Sequence, residues 1–135
     1  MTVLINIDVP DLDAAIGFYT GAFGLTISRR FGEHGVELTG WPSPVYLLQK
    51  DSGSIGAGNS PRTYERHWTP VHLDVVVHDI EQALPRAIQA GARLEHDIRT
   101  APYGKIATLA DPFGHGICLI EFIGRGYDEI AGLRA

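Results

Sequence analysis

The feature that most constrains this chain is an internal repeat. Leu4-Ile5-Asn6-Ile7-Asp8-Val9-Pro10-Asp11-Leu12 matches His72-Leu73-Asp74-Val75-Val76-Val77-His78-Asp79-Ile80 at a constant spacing. Each copy alternates like a strand and then reaches an Asp placed to cap a helix, where its carboxylate accepts from free N–H groups of the first turn. Asp79 with Gln82 has the spacing of a capping box. The first helix is expected through Ala14, Phe18, Tyr19 and Phe23 to Gly24, and the second through Ala83, Leu84, Ala87 and Ala90 to Gly91. Both glycines stand where a left-handed C-cap belongs. Pro85 weakens the second helix, because only in the first turn is its missing N–H harmless.

Period-two patterning follows each helix. It covers Leu25–Phe31, Gly35–Thr39 and Val45–Gln49 in the first half, and Arg93–Ile98, Lys105–Leu109 and Gly116–Ile123 in the second. Each half therefore reads β-α-β-β-β, an α+β class with about eight strands and two helices. The modules fall near 1–50 and 67–123, with a Gly- and Ser-rich connector or flap over 51–66 and a tail over 124–135, all in a single domain spanning 1–135. A chain of 135 residues with 44% hydrophobic composition can bury one core of its own.

One helix per half covers one face of each half-sheet. In the opening strand Val3, Ile5, Ile7 and Val9 are expected under the helix, with Leu4, Asn6 and Asp8 opposite. In the matching strand Val71, Leu73, Val75 and Val77 are expected under the helix, with His72, Asp74 and Val76 opposite. If the polar faces curve toward each other they form a cleft with convergent polar groups, the usual construction of a small-molecule site.

Charge and composition exclude other classes. Eleven Lys+Arg against sixteen Asp+Glu give a net charge of −5 with no basic block, which argues against nucleic acid and anionic membranes as partners. No apolar run approaches the ~18 residues of a membrane span, and the N-terminal apolar stretch meets Asp8 and Asp11 too early to be a signal-peptide core. Cys118 is the only cysteine, so no internal disulfide forms and a reducing, cytoplasmic location is expected.

Taken together, Val9-Pro10-Asp11-Leu12, Gly17-Phe18-Tyr19, Phe23-Gly24-Leu25, Asp79-Ile80, Ala90-Gly91-Ala92 and Ala110-Asp111-Pro112-Phe113-Gly114-His115 resemble the vicinal oxygen chelate superfamily. That group includes glyoxalase I, bleomycin-resistance proteins, fosfomycin-resistance enzymes and extradiol dioxygenases. The resemblance covers nearly the whole chain and implies a glyoxalase/bleomycin-resistance-type curved sheet around a cleft, and homodimers that pair modules within or between chains. Metal-dependent members place a His, Gln or Glu five residues before the last valine of each first strand, and a Glu seven residues after the Asp of the "DP-x-G" turn. Those positions hold Leu4, His72 and Cys118 here, and Tyr46 is the first-half counterpart of Cys118. Of the four, only His72 matches, so the resemblance implies a site without the full metal set.

Candidate residues follow. His72 is the acid–base candidate, because histidine is the side chain whose charge changes near neutral pH, with the alternative that Asp74 or Asn6 merely satisfies it. Asn6, Asp8, Tyr46, His72, Asp74 and Cys118 are the expected cleft residues, joined by Tyr64, Trp68 and Tyr103 as aromatic surfaces for a planar ligand. Cys118 reads first as a small buried hydrophobe. The residues establish no cofactor; a divalent Fe, Ni, Zn or Mn ion enters in a second reading, with His72 and Glu121 as ligands. Strand parity turns Glu121 away from Cys118 unless a bulge near Gly114-His115-Gly116 reverses it. The leading function is binding of a small, partly aromatic molecule; the alternatives are a metal-dependent lyase, isomerase or dioxygenase, and a non-catalytic dimeric scaffold. His115 reads as structural.

Overall fold

The computed structural model describes residues 1–132. The first module runs β1 (Ile5–Val9), α1 (Leu12–Phe23), β2 (Thr26–Phe31), β3 (Gly35–Thr39) and β4 (Val45–Gln49). A short hairpin, β5 (Ile55–Ala57) and β6 (Ser60–Pro61), occupies the connector. The second module runs β7 (Leu73–Val76), α2 (Ile80–Ala90), β8 (Arg93–Ala101), β9 (Gly104–Ala110) and β10 (Gly116–Phe122), followed by a 3-10 turn at Gly126–Glu129. The sequence repeat is a structural repeat: the sheets are ordered β1-β4-β3-β2 and β7-β10-β9-β8. In each, the first strand lies parallel to the last and the remaining pairs are antiparallel.

Local chemistry sets the helices. The Asp11 side chain accepts from Ala14 N at 3.0 Å, and that of Asp79 accepts from Glu81 N at 3.0 Å and Gln82 N at 3.3 Å. Both helices end at the expected glycines, Gly24 (φ 68°) and Gly91 (φ 122°). Pro85 sits inside α2, which nevertheless continues to Ala90.

The strands differ from expectation at their starts. Val3 and Val71, expected under the helices, are 66% and 84% exposed and precede β1 and β7. The reason is pairing: β4 opens at Val45 and β10 at Gly116, so residues further upstream have no ladder partner. The connector is a fastened hairpin rather than a bare flap. Its Arg62 donates to Asp8 Oδ2 at 2.8 Å and to the Ile55 carbonyl at 2.7 Å, and Tyr64 Oη donates to the Lys50 carbonyl at 2.6 Å.

One core joins the modules. Val9, Phe18, Tyr19 and Leu47 from the first pack with Ile80, Leu84, Phe113 and Leu119 from the second, and α1 lies on α2. Within this core Tyr19 Oη donates to Asp111 Oδ2 at 2.7 Å, while Asp111 Oδ1 accepts from the backbone N–H groups of Phe113 and His115, both at 2.8 Å. His115 Nε2 lies 2.7 Å from the Asp8 carbonyl oxygen; a carbonyl only accepts, so Nε2 carries the hydrogen. The "DPFGH" turn is thus the clasp between the halves. Gly114 fits it uniquely: with φ at 90°, an added Cβ would sit 2.4 Å from the Tyr64 carbonyl oxygen. The tail expected over 124–135 is described to Gly132, with Tyr127 packed on Phe122 and Tyr103; residues 133–135 lie outside the described part. Among the described residues no helix is long and apolar enough to cross a membrane.

Candidate functional site

Because the modules meet through their helix sides, each sheet keeps a second face outside the common core. The registers give the content of those faces. Across the first sheet run Asn6, Tyr46, Glu37 and Arg29; across the second run Asp74, Cys118, Thr108 and His96. Asn6 stands to Tyr46 as Asp74 stands to Cys118, so the pairing of Tyr46 with Cys118 as counterparts is reproduced by the ladders.

The first face is a closed polar network. Arg29 grips Glu37 with two bonds, Nε to Oε1 at 2.9 Å and Nη2 to Oε2 at 2.7 Å, and Tyr46 Oη donates to Glu37 Oε2 at 2.5 Å. Glu37 is only 7% exposed, yet these donors, Arg29 first and Tyr46 second, hold its carboxyl down to about 2. The Tyr46 hydroxyl is correspondingly pushed up, chiefly by that same bond. Phe31 stacks beside Tyr46 with 6.1 Å between ring centroids, and the Arg29 guanidinium lies 5.4 Å from the Phe31 ring centre. Asp8, on the same face, is neutralised by Arg62.

The second face is open. A cavity of about 380 Å³ is lined by Arg66, Trp68, His72, Arg99, Thr108 and Cys118 among others. At one end the Arg66 guanidinium makes two bonds to Glu95, at 2.8 and 2.9 Å, and lies over Gly116, where a Cβ would come within 2.8 Å of it. That pair lowers the Glu95 pKa. In the middle His72 Nε2 is 3.2 Å from Asp74 Oδ1, and the His72 ring lies 6.1 Å from that of Trp68, which is 73% exposed. The Cys118 thiol points to Thr108 Oγ1 at 3.9 Å, and burial raises its pKa. Arg99 has no carboxylate partner among the described residues. A larger hollow of about 500 Å³ lies on the helix side, lined by Phe23, Trp41, Val77 and Arg86 among others. Arg86 there is spent on the Gly21 carbonyl, and none of His72, Asp74 and Cys118 lines it.

Several expectations need correction. Glu121 is not beside His72: its Oε2 accepts from Ile80 N at 3.0 Å, capping α2 on the helix side, as unbroken strand parity requires. Tyr64 is a strut, held by Lys50 and packed on His115. Tyr103 packs on Tyr127 at the β8–β9 turn and does not line the cavity. Asn6, Asp8 and Tyr46 lie on the first face and are absent from the cavity lining, so one chain does not join the two polar sets into a single cleft. The physical cause is the shared core, which draws the helix sides together. Sequence reasoning passed over Arg29, Glu37, Glu95 and His96. A charged residue inside the apolar strand Gly35-Val36-Glu37-Leu38 was the available signal for Glu37; Glu95 and His96 reach the site through register shifts between Leu94 and Arg99 that no pattern announces.

The metal set implied by the resemblance does not fit. Leu4 offers no donor and Tyr46 is committed to Glu37; Glu121, the ligand of the second reading, caps a helix. A different group does converge on the second face alone: His72, Asp74 and Cys118 each offer a ligand atom within 4.8 Å of the others.

This is the paired-βαβββ architecture of glyoxalase-type proteins. Residues 4–120 match the family described as a Glyoxalase-like domain, and the chain belongs to it. It is 33% identical over 124 residues to the anthracycline biosynthesis protein DnrV of Streptomyces peucetius, covering 90% of this chain and 41% of that one. It is 30% identical over 114 residues to the anthracycline biosynthesis protein DauV of Streptomyces sp. strain C5, covering 82% and 38%. The chain thus spans about two fifths of the length of these relatives. Its fold is similar to that of the fosfomycin resistance protein FosX of Listeria monocytogenes, with TM-score 0.73, 15% identity, and 97% and 98% of the two chains covered. It is also similar to a glyoxalase/bleomycin resistance protein/dioxygenase family enzyme of Burkholderia phytofirmans, with TM-score 0.68, 19% identity, and 89% and 97% covered.

Proposed function

We propose that the protein binds a small, planar, partly aromatic molecule, in the manner of the bleomycin-resistance branch and without the family's full metal set. The observation that carries this reading is the open second face. A cavity of ligand size there holds an exposed Trp68 for stacking, the His72–Asp74 pair for hydrogen bonding and Arg99, which has no carboxylate partner among the described residues. Kinship to two anthracycline-biosynthesis proteins supports an aromatic, oxygen-rich ligand.

A cavity on one face covers a ligand on one side. We infer that a homodimer closes the cleft, the first face of one copy bringing Tyr46 and Phe31 over the second face of the other. The lone Cys118 suits a reducing, cytoplasmic setting. A second reading, a lyase, isomerase or dioxygenase in which a metal polarises neighbouring oxygens of the substrate, is favoured by the convergence of His72, Asp74 and Cys118.

Light scattering on the purified protein, followed by tryptophan-fluorescence titration with an anthracycline, tests the leading reading. The expected result is a dimer whose emission is quenched to saturation, with the quenching weakened in Trp68→Phe. A monomer with no saturable quenching overturns it, and saturable quenching unchanged in Trp68→Phe moves the ligand off this face.

A further inference from the structure

We propose that the ligand of the second face is an aromatic carboxylate, with its anionic group seated on Arg99 and its ring on Trp68. The inference names the chemical class of the molecule assigned to this face above, and rests on that reading for the site itself.

The repeat shows what such a group would meet. In the first module the ladders set Arg29 opposite Glu37 and Glu37 opposite Tyr46; in the second they set His96 opposite Thr108 and Thr108 opposite Cys118. The first face thus holds a carboxylate of its own. Glu37 accepts from Arg29 Nε at 2.9 Å and Nη2 at 2.7 Å, and from the Tyr46 hydroxyl at 2.5 Å. At the matching positions of the second face stand two short side chains, Thr108 and Cys118, and both line the cavity of about 380 Å³. The second module lacks the internal carboxylate and has the room for one.

A bulge supplies the cation. β2 and β8 share one register shift, between Ile27 and Arg29 and between Leu94 and His96. β8 has a further shift with no counterpart in β2: His96 pairs with Thr108 and Arg99 with Ile106, three residues against two. Residues three apart on an unbroken strand point to opposite faces, whereas this bulge turns both His96 and Arg99 to the side of Thr108 and Ile106. Both accordingly line the cavity.

Charge then selects the group. Arg66, Glu95 and Arg99 line the cavity, and Arg66 is closed on Glu95 by two bonds. Arg99 has no carboxylate partner among the described residues. Asp74 lies 3.2 Å from His72 Nε2 and does not line the cavity. The cavity therefore presents a free guanidinium in a chain whose net charge is −5, and the lining of a cleft sets its local field. A planar guanidinium fork fits a carboxylate with two parallel bonds, as Arg29 does with Glu37. One free cation matches the single charge of a carboxylate and falls short of the higher charge of a phosphate monoester.

The test is tryptophan-fluorescence titration with anthraquinone carboxylate and with its neutral hydroxymethyl analogue, in wild type, Arg99→Gln and Trp68→Phe. Circular dichroism confirms that each variant folds. Wild type should bind the carboxylate at least about tenfold more tightly than the neutral analogue. Arg99→Gln should bring the two within about twofold by weakening the carboxylate alone, while Trp68→Phe should weaken both alike. Benzoate should displace the probe at lower concentration than phenyl phosphate. No preference for the carboxylate in wild type, or a preference that survives Arg99→Gln, overturns the proposal, and saturable quenching by both probes then leaves the aromatic ligand standing. Tighter competition by phenyl phosphate overturns the carboxylate assignment. Absence of quenching by either probe is the failure of the aromatic reading itself and removes this proposal with it.

Discussion

The two modules share a topology and a register but put opposite kinds of surface on their free faces. In the first, Arg29, Glu37 and Tyr46 satisfy one another, and Asp8 is tied to Arg62, so the polar groups are locked into protein contacts. In the second, the equivalent row is Asp74, Cys118, Thr108 and His96, where the bonds are fewer and longer and a cavity stands over them. Duplication fixed where side chains point, and divergence decided what they do. A face whose donors and acceptors pair internally presents a rigid platform; a face with spare ligand atoms retains the capacity to bind.

The most severe way to disturb both faces at once is to open the clasp between the modules. Asp111→Ala strands the Tyr19 hydroxyl and the N–H groups of Phe113 and His115 in the core, and should cost about 3 to 5 kcal/mol in denaturant-measured stability. Tyr19→Phe, which removes one of those three bonds and leaves the turn intact, should cost less, roughly 1 to 2 kcal/mol. Equal losses would show that the turn bonds contribute nothing beyond the tyrosine.

A finer probe separates the open face from the closed one. Trp68→Ala should leave stability within about 0.5 kcal/mol, because the side chain is 73% exposed, while weakening an aromatic ligand by about tenfold. Tyr46→Phe should do the reverse, lowering stability through the Glu37 network; a dominant effect of Tyr46→Phe on ligand affinity with unchanged stability would erase the distinction between the faces.

The smallest expected effect is in acid. Glu37 titrates near 4.5 when unfolded and about 2 when folded, so its stabilisation is fully present above the upper value and is lost as pH falls from there toward about 2. Glu95 is lowered in the same direction by Arg66. Stability curves of Glu37→Gln and Glu95→Gln should both be flatter than wild type on the acid side, Glu37→Gln more so; the opposite order would place the stronger network on the second face.

Short-range chemistry made much of this legible in advance. Asp11 and Asp79 announce helix starts because capping needs only the next three residues, and Gly24 and Gly91 announce helix ends for a similar local reason. The repeat then fixed the topology, since two like segments that each hide one face must fold alike and pack together. The parity of β10 correctly left Glu121 facing away from Cys118. Strand onset was less legible: Val3 and Val71 alternate as strand residues but find no partner, and pairing is a property of two segments.

The site required the tertiary structure for the same reason. Sequence placed His72, Asp74 and Cys118 on one side of a sheet, but only the ladder between β7 and β10 set their ligand atoms within 4.8 Å. It placed Asn6, Asp8 and Tyr46 on a matching surface, yet the core shared by α1, α2 and the Asp111 turn kept that surface out of the second module's cavity. Periodicity reports which way a side chain leaves its own strand. Which chains of atoms it then meets depends on how separate segments pack, and that information lies in no single stretch of sequence.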